Sequence, residues 1–443
     1  MKHLKKQDIK IYSLIKQEEN RQKNTLMMIP SENMASSAVE EAVGSSLENK
    51  YAEGYPHKRY YQGQANVDEI EIEAIERAKS LFKVVHANVQ PYSGSPANFE
   101  AYNAILNPGD KIMGLSLSFG GHLTHGSTAS ATSKYFKSIQ YELGADGYID
   151  YKDLMRIAKK EKPRVIVAGT TAYPRILEWK KFYEIAEAVG AYLLCDISHI
   201  AGLIVGGAYP SPVNYSHIIT TTTHKTLRGP RGAMILVTKK GIQKDPDLAK
   251  KVDKSVFPQL QGGPHINTIA GIAVALKEAS KPSFKKYAKQ IIKNAKALAK
   301  ELTKRKFDLI SGGTDSHLLL IDLRNKNIIG NTLAEGLESI GIVTNYNSVP
   351  FDTNPPFYPS GIRLGTPGIT SRGMTDKDMI VIASCMSDLS DALANTKISL
   401  NLSSEDEKKR AERKKIIDKT KIIPALKKKI LLLCKKYPVK KSY

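Results

Sequence analysis

Residues 217–237 read HIITTTTHKTLRGPRGAMILV. Two short runs of β-branched and apolar residues, HIITTTT (217–223) and AMILV (233–237), enclose a loop of His, Lys, Arg, Gly and Pro. Such a run ending in glycine and proline reads as a strand leaving its sheet, so it delivers His224 and Lys225 to a strand end. The same grammar repeats toward the N-terminus in HANVQPY (86–92), KIMGLSL (111–117), RVIVAG (164–169) and AYLLCD (191–196), with helical stretches between. That alternation predicts an α/β layer with a mostly parallel sheet. Ligands in such sheets collect beyond the carboxyl ends of strands, which singles out Ser93, His122, Thr171, Asp196 and Lys225.

Downstream, Phe284, Tyr287, Ile291, Ala295, Leu298 and Leu302 recur three or four apart between lysines, the pattern of a helix with one buried stripe. SHLLLIDL (316–323), GIVTNYN (341–347) and GIRLGT (361–366) read as strands, with helices near 331–339 and 375–394. This is a smaller α+β layer. The stretch 396–415, TKISLNLSSEDEKKRAERKK, reads as a loop and a solvated helix. Pro424 starts a last amphipathic helix through Leu426, Ile430, Leu433 and Cys434. The expected organisation is an N-terminal helical arm (1–50), a large domain (51–280) and a small C-terminal domain (281–443) carrying a lysine-rich insertion near 405–421.

The 443 residues, 41% hydrophobic and 25% charged, fit two or three globular domains and disfavour disorder or a coiled coil. Cys195, Cys385 and Cys434 stand far apart, without a disulfide framework or zinc-ribbon spacing. The first twenty residues are charged every few positions, and no window approaches 18 apolar residues, so a cytoplasmic chain without a membrane span is expected. The net charge of +22 raises the question of nucleic acid. Its distribution argues against that partner: residues 403–443 hold 15 Lys or Arg against 5 Asp or Glu, the rest is spread over helix faces, and no aromatic interleaving or RNA-binding signature accompanies it.

P-loop, G-x-G-x-x-G, G-x-S-x-G and H-E-x-x-H signatures are absent, which removes the commonest NTPases, dehydrogenases, serine hydrolases and zincins. In YSGSPAN (92–98), glycine and hydroxyl residues follow a strand and open a helix; this suits a phosphate, or is simply a capping turn. Asp196 at the end of an apolar strand must meet a cation or cap the next turn. Lys225, partly desolvated at its strand end, has the placement of a Schiff-base amine, or is a lysine in a surface turn. Taken together, a phosphate loop, a carboxylate and an amine at successive strand ends are what pyridoxal 5'-phosphate (PLP) requires.

The chain closely resembles serine hydroxymethyltransferases over roughly residues 9–400 and again at the C-terminus around LCKKYP (433–438). The matching motifs are PSEN (30–33), NKYAEGYPHKRYYQG (49–63), ANVQPYSGSPAN (87–98), GGHLTHG (120–126), DISHIAGL (196–203), TTTTHKTLRGPRG (220–232), VFPQLQGGP (256–264), SGGTDSHLLL (311–320) and SGIRLGTP (360–367). The resemblance implies fold type I: a large PLP-binding domain with a mostly parallel mixed sheet and a smaller α+β C-terminal domain. It implies PLP held covalently by Lys225, Asp196 on the ring nitrogen, and His122 stacked on the ring. Ser93, Gly94 and Ser95 would hold the phosphate, Thr171 would offer a hydroxyl to the cofactor, and Asn98 and His199 would face its phenolate oxygen. Tyr51 and Gly263 would complete the phosphate pocket from a second subunit, so a homodimer, or a tetramer built from it, would share its sites. Ser31 and Arg363 would bind the amino-acid carboxylate. Glu53 would handle protons, with Tyr61 and His224 aiding alignment. Leu117, Gly121, His122, Leu123, Asn347 and Phe357 match tetrahydrofolate contacts.

The implied reaction is the reversible conversion of L-serine and tetrahydrofolate to glycine and 5,10-methylenetetrahydrofolate. A folate-independent aldolase or an α-methylserine hydroxymethyltransferase would keep the same cofactor residues. The chain departs from the family pattern at Pro30 and Ser198, where alanine is usual, at Thr171, where serine is, in Gln64, Ala65 and Asn66, and near the folate positions at Phe119 and Pro355. Ser198 is expected close to the inner face of the ring, altering its polarity.

Overall fold

The computed structural model describes residues 1–394 and 407–439. They form two compact units, one made of Asn33–Ile292 with Thr314–His317, the other of Met1–Glu32, Lys293–Gly313 and the chain from Leu318 onward. The chain passes from the first to the second within one helix, Pro282–Lys304.

The larger unit is built on a seven-stranded sheet: β1 (His86–Asn88), β2 (Lys111–Leu115), β3 (Lys137–Tyr141), β4 (Val165–Gly169), β5 (Tyr192–Asp196), β6 (Ile218–Thr222) and β7 (Ala233–Val237), in the order β1-β7-β6-β5-β4-β2-β3. β2 to β6 pair in parallel, whereas β7 runs antiparallel to β6 and to β1. The continuous apolar runs have a direct cause. Successive side chains point to opposite faces of a strand, and here both faces are covered. Ile166, Ala168, Leu193, Cys195, Ile219, Met234 and Leu236 enter one core, and Val165, Val167, Tyr192, Leu194, Ile218, Ile235 and Val237 enter another. The mostly parallel sheet is thus as expected. The sequence reading missed β3, an edge strand whose KSIQY is polar and only partly buried, so it carries no apolar run.

The smaller unit contains β8 (Asp308–Leu309), β9 (Leu318–Asp322), β10 (Asn345–Asn347) and β11 (Gly361–Gly365), antiparallel in the order β8-β9-β11-β10. The expected strand 341–347 is broken in two. Ile342–Val343 pairs in parallel with Leu26–Met27, and only Asn345–Asn347 joins β11. Helices Gly330–Ile340, Met379–Leu393 and Ile423–Lys436 supply Leu333, Leu337, Ile382, Met386, Leu389, Leu426 and Ile430 to its core.

The helix Glu407–Lys419 is not simply a solvated one. Arg413 is 1% exposed, and its Nε and Nη2 reach Glu335 at 2.9–3.2 Å. Arg372, also buried, donates to the carbonyls of Gln22, Lys23 and Thr25 and to those of Cys434 and Tyr437. Gln22 and Lys23 lie in the last turn of the helix Ile9–Asn24, where carbonyls lack intrahelical donors, so one guanidinium satisfies two helix ends at once. Residues 395–406, in the linker expected as a loop, lie outside the described residues. No described helix is long and apolar enough to cross a membrane.

Candidate active site

β5 ends at Asp196, whose carboxylate is only 9% exposed. Its Oδ2 accepts from Asn98 Nδ2 at 2.9 Å and faces His125 Nε2 at 3.0 Å, while Oδ1 accepts the backbone N–H of Ser198 at 3.0 Å. Asn98 is itself fixed: Oδ1 accepts from Thr220 Oγ1 at 2.6 Å and Nδ2 also donates to Thr124 Oγ1 at 2.8 Å. Burial alone would push the carboxyl up. The bond and charge of His125, with His122 and Lys225, nevertheless hold it well below the usual carboxylate range. Asp196 therefore stays anionic and can hold a proton on a neighbouring heterocycle.

His122 Nδ1 accepts the Thr124 N–H at 3.2 Å and lies 2.7 Å from the Thr124 hydroxyl, which places the ring proton on Nε2. Burial, helped by His125 and Lys225, pushes its pKa down to about 4, so the imidazole is neutral. His122, His125 and Asp196 bring ligand atoms within 4.8 Å of one another. Thr124, Asn98 and Ser198 already occupy their inward lone pairs and donors, an arrangement suited to orienting a carboxylate.

Lys225 follows the end of β6, and its charge acts on Asp196, His122 and His224. The loop that holds it is pinned on several sides. Asn33 Nδ2 donates to the Lys225 carbonyl at 2.9 Å and Thr226 Oγ1 to the His199 carbonyl at 3.0 Å. The Arg228 guanidinium lies over the Tyr287 ring at 4.3 Å. His224 is pushed down to about 3 by burial, Lys225 and Arg231.

Ser93 caps the helix Gly94–Ile105, but its hydroxyl makes no capping bond. The first N–H groups of that helix and the hydroxyls of Ser93 and Ser95 thus form an anion-binding end. A Cβ at Gly94 would stand 2.6 Å from Thr222 Cγ2, so only glycine fits against β6 there. These groups match the needs of PLP: donors for a phosphate, an anion held ionised, a primary amine and a flat neutral ring.

Several of the expected site residues have partners within the chain. Asn98 is directed at Asp196 and Thr124. Ser198 Oγ accepts the Thr222 N–H at 3.0 Å, bracing β6. The Thr171 hydroxyl donates to the Gly121 carbonyl at 2.8 Å. Phe119 is buried in the core. His125, Thr124 and Thr220 were missed, although GGHLTHG contains the first two; their partners are far off in sequence.

Tyr51, Glu53, Tyr61 and Gly263 form a second cluster. Tyr51 Oη donates to Glu53 Oε1 at 3.1 Å, Tyr51 and Tyr61 rings meet edge to face at 5.2 Å, and the Tyr51 ring would contact a Cβ at Gly263. Gln64, one of the departures, supports it by donating to the Tyr51 carbonyl. Tyr51 and Tyr61 are 55% and 47% exposed. Leu117 and Leu123 are exposed as well. In the smaller unit, Arg363 sits on β11 with Nε donating to Asn345 Oδ1 at 3.2 Å, Asn347 ends β10, Ser31 follows the Leu26–Met27 pair, and Phe357 is exposed.

His122, His217 and His224 all have folded pKa values below the unfolded value, at about 4, 4 and 3, chiefly through burial. The unfolded chain therefore binds more protons in the window between. Stability present above pH 6.5 is expected to fall as pH drops toward 4, on the order of 1–2 kcal/mol for each histidine. Urea unfolding of the cofactor-free protein from pH 7 to 4.5 checks this; a midpoint that stays constant or rises contradicts it.

The family model described as serine hydroxymethyltransferase matches residues 4–386. A Desulfotalea psychrophila protein named serine hydroxymethyltransferase is 55% identical over 386 residues, 87% of this chain and 89% of the relative. One of the same name from Acidothermus cellulolyticus is 55% identical over 388 residues, again 87% and 89% of the two chains.

Proposed function

The chain belongs to the serine hydroxymethyltransferase family, and from that premise we propose that it interconverts L-serine plus tetrahydrofolate and glycine plus 5,10-methylenetetrahydrofolate, with PLP held by Lys225. The observation that carries the reading is the carboxylate of Asp196, kept anionic by His125 and Asn98 in reach of the Lys225 charge. When bound, PLP supplies a sink for the electron pair left on Cα as the Cα–Cβ bond of serine breaks.

The remaining tasks fall to the chain. Ser93, Gly94 and Ser95 hold the phosphate at a helix N-terminus, and Asp196 keeps a proton on the ring nitrogen. His122, neutral and aligned through Thr124, covers the ring face. Arg363 and Ser31 bind the substrate carboxylate. Glu53 holds the proton exchanged at the serine hydroxyl, with Tyr61 and His224 aligning it, while Leu117, Gly121, Leu123, Asn347 and Phe357 contact folate. Tyr51, Glu53 and Gly263 serve the site of a second subunit. Their clustering on an exposed, aromatic surface supports that reading.

The test is glycine formation from serine by purified, PLP-loaded protein with and without tetrahydrofolate. Strong dependence on folate is expected. Equal cleavage without folate makes the protein an aldolase, and turnover of α-methylserine in preference to serine makes it the other hydroxymethyltransferase.

A further inference from the structure

His317 has no part in the roles assigned above, yet it is fully buried, and its Nε2 lies 3.2 Å from Nδ1 of His199. The two rings are nearly coplanar, at 26° with centroids 5.4 Å apart, so they meet edge to edge through these nitrogens. It reaches this place at the end of a four-residue segment of the larger unit. The segment is anchored on Pro174 and Arg175: the Asp315 N–H and the Thr314 hydroxyl both donate to the Pro174 carbonyl, at 3.0 and 3.2 Å, and Arg175 Nη1 pairs with Asp315 at 3.2 Å. The Ser316 N–H in turn donates to Thr314 Oγ1. His199 is equally constrained, 6% exposed and with its carbonyl held by Thr226.

Between two neutral imidazoles, nitrogens at this distance share one proton, so one ring donates and the other accepts. If His199 donates, its Nε2 is left as an acceptor. If His317 donates, Nδ1 of His199 is bare and its own proton lies on Nε2. The phenolate oxygen of PLP is an acceptor, and only the second arrangement offers it a hydrogen bond. We infer that His317 is a positioning residue, which donates Nε2–H to Nδ1 of His199 and so fixes His199 as a donor to the ring oxygen of the cofactor. The inference rests on the PLP reading given above. It follows the general logic by which a second ring or carboxylate, hydrogen-bonded to the far nitrogen of a histidine, sets what the near nitrogen can do.

Two measurements on the PLP-loaded protein test it. With ¹⁵N-labelled histidine, and His199 assigned by its loss in His199→Asn, Nδ1 of His199 is expected to be unprotonated and Nε2 protonated; the opposite tautomer overturns the inference. The second uses His317→Phe, which keeps a ring but no donor, and His317→Gln, which keeps an N–H. The phenylalanine variant is expected to bind PLP about tenfold more weakly. Losing a donor to the phenolate should also raise the pH midpoint of the bound cofactor's visible absorption by about one unit. Glutamine should recover at least half of both changes. A phenylalanine variant with wild-type affinity and midpoint, or a glutamine variant no better than phenylalanine, overturns the inference. Should phenylalanine prevent folding, the glutamine variant and the nitrogen shifts decide. A wild-type protein that binds no PLP at all overturns the functional reading, and this inference with it.

Discussion

Lys225→Ala is expected to lower folate-dependent glycine formation by about 10⁴-fold or more, the scale on which single covalent catalytic groups are lost. The protein should still bind PLP without a covalent bond. The Asp196 network depends on Asn98, His125 and Ser198, and the anion-binding helix end on residues 93–95; none of these contacts uses the lysine. Borohydride reduction of the wild-type holoprotein should place the pyridoxyl label on Lys225, and a label on another lysine removes the assignment. The same variant tests the sharing of sites. Mixed with Tyr51→Ala/Glu53→Ala under conditions of subunit exchange, about half the dimers contain one of each chain, and one of their two sites is intact. Activity should recover to roughly one quarter of the wild-type sites. No recovery despite proven exchange would place Tyr51 and Glu53 in the same subunit's site as Lys225.

Arg363 carries the second large effect. It lies on β11 in register with Leu320 and Asn345, its Nε held by the Asn345 side chain. Burial pushes its pKa down to about 10, so it remains cationic at neutral pH. A planar guanidinium fixed at one edge can offer a carboxylate two parallel hydrogen bonds, which an ammonium cannot. Arg363→Lys is expected to raise the KM for serine about 100-fold and Arg363→Ala further, with the absorption of bound PLP unchanged. Normal serine affinity in the lysine variant would remove Arg363 from the carboxylate site.

Strands buried on both faces were legible because their apolar runs are dictated by two cores, as in VIVAG and AMILV. The half-buried edge strand β3 was not, since KSIQY meets neither the alternating nor the continuous pattern. The places of Asp196 and Lys225 at the ends of strands were legible from the apolar runs before them. His125 could not be given a purpose, because its partner Asp196 is 71 residues away and the contact exists only once β2 and β5 share a sheet. The same holds for His317, 118 residues from His199, and for Arg413, read among lysines as one more solvated charge until Glu335 closes over it. Side chains whose meaning lies in one distant partner leave no periodic trace in a sequence, whereas those whose meaning lies in a layer do.

The five carbonyls gathered by Arg372 also set an order of events during synthesis. Three belong to residues 22–25 and two to residues 434 and 437, about 400 residues later. At ribosomal speeds of about 5–20 residues per second, the first group waits roughly 20–80 s for the second. The larger unit, most of it contiguous from Asn33 to Ile292, is nearly all translated in that interval, while the N-terminal helix has no finished seat. The nascent chain thus carries its earliest segment as its last to settle, and stalled or prematurely terminated translation would leave that helix exposed to chaperones and proteases.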